Sequence, residues 1–394
     1  MKITVPTIDF GTSKIVTMVA QSNGERCDIV GSGAVPYSGY LQDGWNNPDE
    51  IRDVIRTAIV QAQKTGNCRI HELNVGVPGM FTRVIVKEVH VSLTGPDPHV
   101  TAQDVRACFK LAEESGGDRI IHSAPAWFRV DDGKKTLSPV GIKGRELSAM
   151  IALVTADKYF IDDITYRLRD MDIEPSEFYS TVAGEATYAL SQDERDKTAM
   201  LIDIGYLCTD VMVMEGDALI FHKCLDIGGG HISADIAEQL NIPFPFVEEK
   251  IKQTYSFNST NQDETYVIPA TEDEPARTVR RDEVTPIIEA KVEEIAEAIN
   301  KALEEGGVKL GKWSNVYLTG GGLILNKGGK DFLAGKLHRI IREAQRTNNK
   351  MTSHVFSSAV GLTILVVTTQ EEQKAPEGGA KGLFSRAFRW LMGY

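Results

Sequence analysis

The chain has 394 residues, of which 42% are hydrophobic and 25% charged, with a formal net charge of −12. That length holds two or more domains with substantial cores, the acidic balance excludes a nucleic-acid binder that works through a basic surface, and no run nears the ~20 apolar residues of a membrane-spanning helix. Its cysteines, at 27, 68, 108, 208 and 224, are scattered, odd in number and lack a Cys-x-x-Cys pair, which argues against a zinc site or a disulfide framework and suits a reducing cytoplasm.

In chain order, Ile3 to Ile8 is an apolar run that predicts a buried strand. Asp9-Phe10-Gly11-Thr12-Ser13-Lys14 follows, and a second apolar run starts at Ile15. A hairpin of this composition turns backbone N–H groups and hydroxyls toward one point, a nest that suits phosphate oxygens. The Asp9 carboxylate at the strand end can hold Mg2+ through its waters, and Lys14 can neutralise phosphate charge. No basic segment followed by a hydrophobic stretch opens the chain, so no signal peptide is expected. Asp28 to Val35 reads as a strand and Pro48 to Lys64 as a helix with Ile51, Val54, Ile55, Ala58 and Ile59 on one stripe. Asn74 to Val77 reads as a further strand.

Residues 81–160 have another texture. Val84 to Leu93 predicts two short strands, and Thr101 to Ser115 a helix capped by Thr101 with Asp104 just inside. Ile120-Ile121, Trp127 to Val130 and Leu147 to Val154 are further strand pieces, which makes a β-α-β-β insert. Helices are expected over Lys158 to Met171 and Thr181 to Leu190. Within the second, Val182-Ala183-Gly184-Glu185-Ala186 suits either a close helix crossing or an ordinary small-residue helix. The pairs Asp131-Asp132 and Asp162-Asp163 suit a turn or a helix start better than acid/base work, and the histidines show no ligand spacing.

The first motif then recurs. The run Ala199 to Leu201 leads into Ile202-Asp203-Ile204-Gly205, and Val211-Met212-Val213 lines up with Ile15 to Val19. Asp9-x-Gly11 and Asp203-x-Gly205 therefore read as one element in two halves of a duplicated chain, and two such hairpins facing each other would enclose a phosphate tail. Leu225-Asp226-Ile227-Gly228-Gly229-Gly230-His231 leads into a helix over Ile232 to Leu240, and Phe246 to Tyr255 reads as a helix bearing Glu249 and Lys252. Residues 256–281 are polar strand and loop. Thr285-Pro286 then opens a long helix in which Ile288, Val292, Ile295, Ile299 and Leu303 recur at helical spacing until Gly306-Gly307. Val316 to Thr319 is a strand running into Gly320-Gly321-Gly322, where the absence of Cβ lets a ligand approach the backbone. Phe332 to Ala344 predicts another helix, and Ser357-Ser358-Ala359-Val360-Gly361-Leu362 starts one more.

From Thr368 to Ala380 the composition turns to Thr, Gln, Glu, Lys, Pro and Gly, a linker able to span ~20 Å as a flexible coil. If 381–394 is helical, Leu383, Phe384, Ala387, Phe388, Leu391 and Met392 share one side, Ser385, Arg386 and Arg389 the other, and Trp390 the boundary. Cationic and free of acid, this segment reads as an interfacial helix for an anionic membrane surface, the alternative being a terminal helix docked on its own protein.

Asp9-Phe10-Gly11-Thr12-Ser13-Lys14, Asp203-Ile204-Gly205 and Val316 to Gly322, in this order, resemble the phosphate 1, phosphate 2 and adenosine motifs of the actin / Hsp70 / sugar-kinase superfamily, over residues 1 to about 366. Val182 to Ala186 and Ser357 to Leu362 resemble its two connecting helices. The insert at 81–160 and the linker-plus-helix ending resemble the bacterial cell-division FtsA family within that superfamily. The resemblance implies an α/β, actin-like ATPase fold of two duplicated RNase H-like lobes. Lobe 1 would have its core (1A) at 1–80 and 161–195 with an insert (1C) at 81–160. Lobe 2 would have its core (2A) at 196–227 and 306–367 with an insert (2B) at 228–305, followed by the linker 368–380 and the amphipathic helix 381–394.

Also implied are ATP and Mg2+, with Asp9, Asp203 and Asp210 as catalytic carboxylates and Asp9 and Asp203 reaching the metal through water. Around the nucleotide it would place Gly11, Thr12, Ser13, Lys14, Gly205, Thr209, Gly228, Gly229, Gly230, Gly320, Gly321 and Gly322. Glu249 and Lys252 would touch ribose and base, unless they form a solvated helix face. Leu383, Phe384, Arg386, Phe388, Arg389, Trp390 and Leu391 would meet the membrane, on the cytoplasmic face of the inner membrane at the division site. The implied partners are the C-terminal tail of the ring protein FtsZ at 2B, further copies in a filament, later division proteins, and anionic lipid. One departure stands out. Where the family has Asp-x-Gly-Gly-Gly-Thr-x-Asp, this chain has Asp203-Ile-Gly-Tyr206-Leu207-Cys208-Thr209-Asp210, which favours nucleotide binding with weak or absent turnover. A pilus-assembly relative is disfavoured by the basic tail, a sugar or acetate kinase lacks an identifiable acid over its substrate, and a chaperone would need a domain after about 366.

Overall fold

The computed structural model describes residues 3–373 apart from 25, 43, 115, 118, 262, 271–274, 312–313 and 345–352. By packing, the chain divides into two compact units, one formed by Met1–Met200, Met212–His222 and Gln345–Tyr394, the other by Leu201–Val211 and Lys223–Ala344.

Strand β1 (Ile3–Phe10) turns into β2 (Lys14–Ser22), which returns as β3 (Cys27–Pro36), each pair antiparallel. A small hairpin, β4 (Tyr40–Leu41) and β5 (Gly44–Trp45), precedes helix α1 (Ile51–Gly66) and β6 (Glu72–Val77), which joins β1 in parallel. The stripe Ile51, Val54, Ile55, Ala58 and Ile59 is buried as its spacing requires. Helix α1 lies so close to β3 that a Cβ on Gly33 would stand 2.1 Å from the Ala58 carbonyl oxygen. It starts at Ile51, so Pro48 stands before the helix and not in its first turn.

The insert is β7 (Thr82–Ser92), α2 (Ala102–Glu114), β8 (Ile120–Val130) and β9 (Glu146–Ala156), with sheet order β7-β9-β8. The β-α-β-β order is as expected, but the two short strands expected over 84–93 are one continuous strand, and so are the pieces at 120 and 127. Strand β9 lies between them and holds both in antiparallel register. Thr101 caps α2: the Asp104 amide donates to Thr101 Oγ1 (3.3 Å) and the Thr101 amide to Asp104 Oδ2 (2.8 Å). The insert has its own core around Cys108, Phe128, Leu147 and Ile151. Helix α3 (Lys158–Arg169) and β10 (Glu174–Ser180), parallel to β6, complete the first sheet as β10-β6-β1-β2-β3, and α4 (Thr181–Ala189) and the single turn α5 (Gln192–Arg195) follow.

Next come β11 (Ala199–Ile204), β12 (Thr209–Glu215), β13 (Ala218–Leu225), α6 (Gly229–Gln239) and the short α7 (Phe244–Phe246), which runs into a π-helical stretch at Val247–Lys252. A hairpin of β14 (Thr265–Ile268) and β15 (Arg277–Arg280) leads to α8 (Arg281–Glu305), β16 (Asn315–Thr319), α9 (Gly329–Leu337), β17 (Ile341–Glu343) and α10 (Ser357–Gln373). The second sheet runs β13-β12-β11-β16-β17, which repeats β3-β2-β1-β6-β10 strand for strand. The repeated Asp-x-Gly is therefore part of a repeated topology, at the same strand end in each sheet.

Three expected boundaries move. Helix α8 begins at Arg281, where the Arg280 amide donates to Glu283 Oε2 at 2.8 Å, and Pro286 lies inside it. The helix expected over 332–344 is α9, which ends where His338 enters the left-handed region (φ 52°), and Ile341 then joins a strand. Helix α10 continues to Gln373, so Thr368 is not linker but a buried helical residue. The helix also lies with the first lobe and not in the 2A core expected over 306–367. Its Leu362, Leu365 and Val366 pack on Ile3, Val5 and Ala20, and its Val360 and Ile364 on Val16 and Met18. It crosses α4 at two glycines: a Cβ on Gly184 would stand 2.9 Å from the Gly361 carbonyl oxygen, the close crossing its small residues allow. The rest of the linker and the membrane helix at 381–394 lie outside the described residues. Among those described, no helix is long and apolar enough to cross a membrane.

Candidate functional site

In the first hairpin the Gly11 amide donates to the Lys14 carbonyl (3.1 Å), closing the turn between β1 and β2. Two tyrosines brace it from β3 onward, Tyr37 Oη donating to the Gly11 carbonyl (2.7 Å) and Tyr40 Oη to that of Phe10 (3.0 Å). Asp9, at the end of β1, is 5% exposed. Burial pushes its carboxyl up to about 6, against the opposing pull of a hydrogen bond from Ser358 Oγ (3.2 Å), the Lys14 charge and the Phe10 amide. Lys14 Nζ lies 5.3 Å from the centre of the Phe356 ring. Thr12 is buried, while Gly11, Ser13 and Lys14 are half-buried. The start of α10 and the turn before it thus form a further side of this hairpin, through Ser358, which the sequence places in a connecting helix, and Phe356, neither of them assigned to the site from sequence. Their signal was proximity to Gly361, the residue that brings α10 in.

The second hairpin repeats the turn, the Gly205 amide donating to the Cys208 carbonyl at 2.9 Å. Matched on that bond, Tyr206, Leu207 and Cys208 stand where Thr12, Ser13 and Lys14 stand, so this copy has no lysine. Two glycine segments interlock around it. A Cβ on Gly320 (φ +88°) would stand 2.0 Å from Asp203 Oδ1, and one on Gly322 would stand 2.3 Å from the Gly205 carbonyl oxygen. The amides of Gly229 and Gly230 donate to the carbonyls of Gly205 (2.9 Å) and Tyr206 (2.7 Å), and Gly322 to that of Ile204 (2.7 Å). The Gly228 amide donates to His231 Nδ1 at 3.0 Å. Gly228, Gly229, Gly230 and Gly322 therefore spend their N–H groups on this protein's own acceptors, and their lack of Cβ serves loop-on-loop packing.

Two further residues differ from expectation. Thr209 is fully buried and its Oγ1 donates to the Ile227 carbonyl (2.7 Å), so its hydroxyl holds β12 to the loop after β13. Lys252 pairs with Glu248 (3.4 Å), one turn away, while Glu249 is exposed. Burial pulls the Lys252 ammonium below its ordinary range against the pull of Glu248, and its Nζ sits 5.6 Å from the centre of the Tyr206 ring. Tyr206, half-buried between Gly230 and Lys252, has its phenol pushed up to about 12 by burial and by Glu248. Asp210 lies beside Cys208 and Cys224. Gly321 is half-buried between its two packed neighbours.

Known proteins are similar to this chain in sequence and in fold. The family description "SHS2 domain inserted in FTSA" matches residues 79–155, the β7-α2-β8-β9 insert, and "Cell division protein FtsA" matches residues 200–361, from β11 into α10. The chain belongs to the FtsA family. Cell division protein FtsA of Pseudomonas aeruginosa is 24% identical over 412 residues, covering 98% of this FtsA-family chain and 97% of its own. The FtsA of Bacillus subtilis is 25% identical, over 76% of this chain and 70% of its own. Among solved structures, the PilM-PilN type IV pilus biogenesis complex aligns over 93% of this chain and 99% of its own at TM-score 0.61 and 16% identity. MreB5 of Spiroplasma citri bound to ADP aligns over 95% and 99% at TM-score 0.53 and 11% identity. At these identities the likeness is one of fold, the actin-like ATPase fold that the two matching sheets already display.

Proposed function

We propose that this FtsA-family chain binds ATP with Mg2+ through its duplicated hairpins, and that it tethers the FtsZ ring to the cytoplasmic face of the inner membrane. The observation that carries the reading is the same Asp-x-Gly turn at the same strand end of two sheets with the same strand order. The residues of the first hairpin fit the cofactor. Asp9 is a carboxylate whose burial opposes its charge, and Lys14 stands at the end of the same turn. Bound Mg2+ would supply charge neutralisation for the phosphates and for Asp9. Asp9 and Asp203 would each reach the cation through water, Ser358 would orient Asp9, and Lys14 would meet phosphate. In the second hairpin the role of the glycines is to shape the loop from Asp203 to Tyr206, and the base-side contact falls to Lys252 and Glu248 together with Tyr206.

Turnover on this reading is slow. Tyr206 and Leu207 replace two glycines, and the carbonyls of Gly205 and Tyr206 are already tied down. ATP then acts as a structural ligand, and phosphate release faster than about 1 s−1, the range of ordinary enzymes, contradicts it. The amphipathic segment 381–394 binds anionic lipid, and self-assembly into filaments multiplies that weak attachment. The FtsZ tail docks on the 228–305 region, and the 81–160 insert serves assembly and the recruitment of later division proteins. Co-sedimentation with anionic vesicles tests the membrane part. The whole chain pellets with a steep concentration dependence in the presence of ATP, and a chain ending at Ala380 stays in solution. Equal pelleting of both, or a linear isotherm, overturns it.

A further inference from the structure

The sequence argues against a zinc site because its cysteines are scattered and lack a Cys-x-x-Cys pair. The β12–β13 hairpin brings two of them together. Cys208 closes the turn that precedes β12, Asp210 is the second residue of β12, and Cys224 lies near the end of β13. The two Sγ atoms and a carboxylate oxygen of Asp210 lie within 4.8 Å of one another. Cys208 is buried, and Asp210 and Cys224 are half-buried. The frame around them is fixed by bonds that do not involve the three side chains. The Gly205 amide holds the Cys208 carbonyl (2.9 Å), and Thr209, between the two ligand positions, is anchored through Oγ1 to the Ile227 carbonyl (2.7 Å).

Two sulfurs and one carboxylate are a donor set for a borderline-soft cation and not for Mg2+, which takes oxygen alone. Charge balance points the same way. A divalent cation entering the cluster expels two thiol protons, so two thiolates, one carboxylate and the cation carry the same net charge as two thiols and one carboxylate. The half-buried site gains a metal without gaining charge.

We propose that Cys208, Asp210 and Cys224 bind one thiophilic divalent cation of the Zn2+ class, with water in the fourth position. The bound cation clips the beginning of β12 to the end of β13 and stiffens the Gly205–Cys208 turn, a place where the FtsA pattern has glycine and threonine. The inference goes beyond nucleotide binding and is measured without nucleotide, so its failure leaves the ATP reading standing.

The probe is Cd2+ titrated into the full, reduced, nucleotide-free chain, with thiolate-to-metal charge-transfer absorption as the readout and Zn2+ as competitor. The expected result is saturation at one Cd2+ per chain and displacement by Zn2+. Cys208→Ser and Cys224→Ser each weaken binding by more than about 100-fold, since even changes outside the ligand set cost 10–100-fold. Asp210→Asn weakens it less, and Cys68→Ser, at the other half-buried cysteine, leaves it unchanged. Circular dichroism on each variant shows that the loss is of ligand and not of fold. The proposal is overturned by the absence of a one-equivalent endpoint, or by absorption that survives in the folded C208S/C224S double variant.

Discussion

Asp9→Asn separates what the first hairpin costs the fold from what it does for a ligand. In the ligand-free chain the Asp9 carboxyl moves from its ordinary 3.8 to about 6, chiefly through burial. At about 1.4 kcal/mol per tenfold, the charged form is disfavoured in the folded chain by about 3 kcal/mol. The sign follows from proton binding. Between pH 3.8 and about 6 the folded chain holds a proton that the unfolded chain has released, so stability falls as pH rises through that window, and the loss is complete above it. Asparagine is isosteric, cannot ionise and can still accept from Ser358 Oγ. We expect the variant to be more stable than the parent by up to about 3 kcal/mol near neutral pH, with the two converging near about pH 4, in urea denaturation without nucleotide. With Mg2+ and ATP in excess the order reverses, because only the parent gains the binding free energy. A variant less stable than the parent at neutral pH, or a gap that ignores pH, would refute the reasoning. A variant stabilised by Mg-ATP as strongly as the parent would remove Asp9 from the metal.

Ser358→Ala deletes the hydrogen bond that favours the charged Asp9 and is expected to raise the pH at which stability changes. It should also weaken Mg-ATP binding about fivefold, the worth of about 1 kcal/mol, read by calorimetric titration at several pH values. Gly361→Ala places a Cβ 2.5 Å from Glu185 Cα, so α10 must lift off α4. The expected loss is about 1–3 kcal/mol by urea denaturation, and an unchanged midpoint would show that the helices slide freely. Arg195 is 1% exposed and donates to the carbonyls of Gly216 (3.0 Å) and Leu190 (2.6 Å) and to Asp217 (3.0 Å). Arg195→Met strands all three acceptors and should cost about 3–5 kcal/mol, with proteolysis near 216 as a second readout. Glu248→Gln removes the carboxylate charge that faces the Lys252 ammonium at 3.4 Å. If the pair lies against the base, nucleotide affinity falls while Glu249→Gln has no effect.

The duplicated hairpins were legible because their signal is local: an apolar strand, an aspartate, and a glycine whose amide closes a tight turn. The insert was legible for a similar reason, since four elements of distinct period follow one another between Thr82 and Ala156. What failed depended on distant neighbours. A run of glycines does not say whether its amides await a ligand or are taken, and at Gly229 and Gly230 they are taken by carbonyls of a loop more than twenty residues upstream. Composition made Thr368 to Gln373 look like linker, yet Thr368 is buried, and Glu371 further along the helix accepts a hydrogen bond from Ser22 at the end of β2. The helix start read at Thr285-Pro286 overlooked the cap built by Glu283, because proline ordinarily marks a first helical turn and here lies inside the helix. Cys208 and Cys224 are remote in sequence and adjacent only because β12 and β13 fold back on each other at Gly216.

The insert enters and leaves through one doorway. Its first and last strands pair from Thr82 opposite Ala156, and just outside them the Asp157 amide donates to the Phe81 carbonyl at 2.8 Å. The parent lobe therefore has its chain ends already in hand where the insert begins, and a turn of about two residues, as in an ordinary hairpin, would close the gap. With a hydrophobic centre of its own, this module behaves as a cassette. Its removal at that doorway would break one further seam, where the Asp217 amide donates to the Pro125 carbonyl at 3.0 Å and Ala218 packs with Trp127.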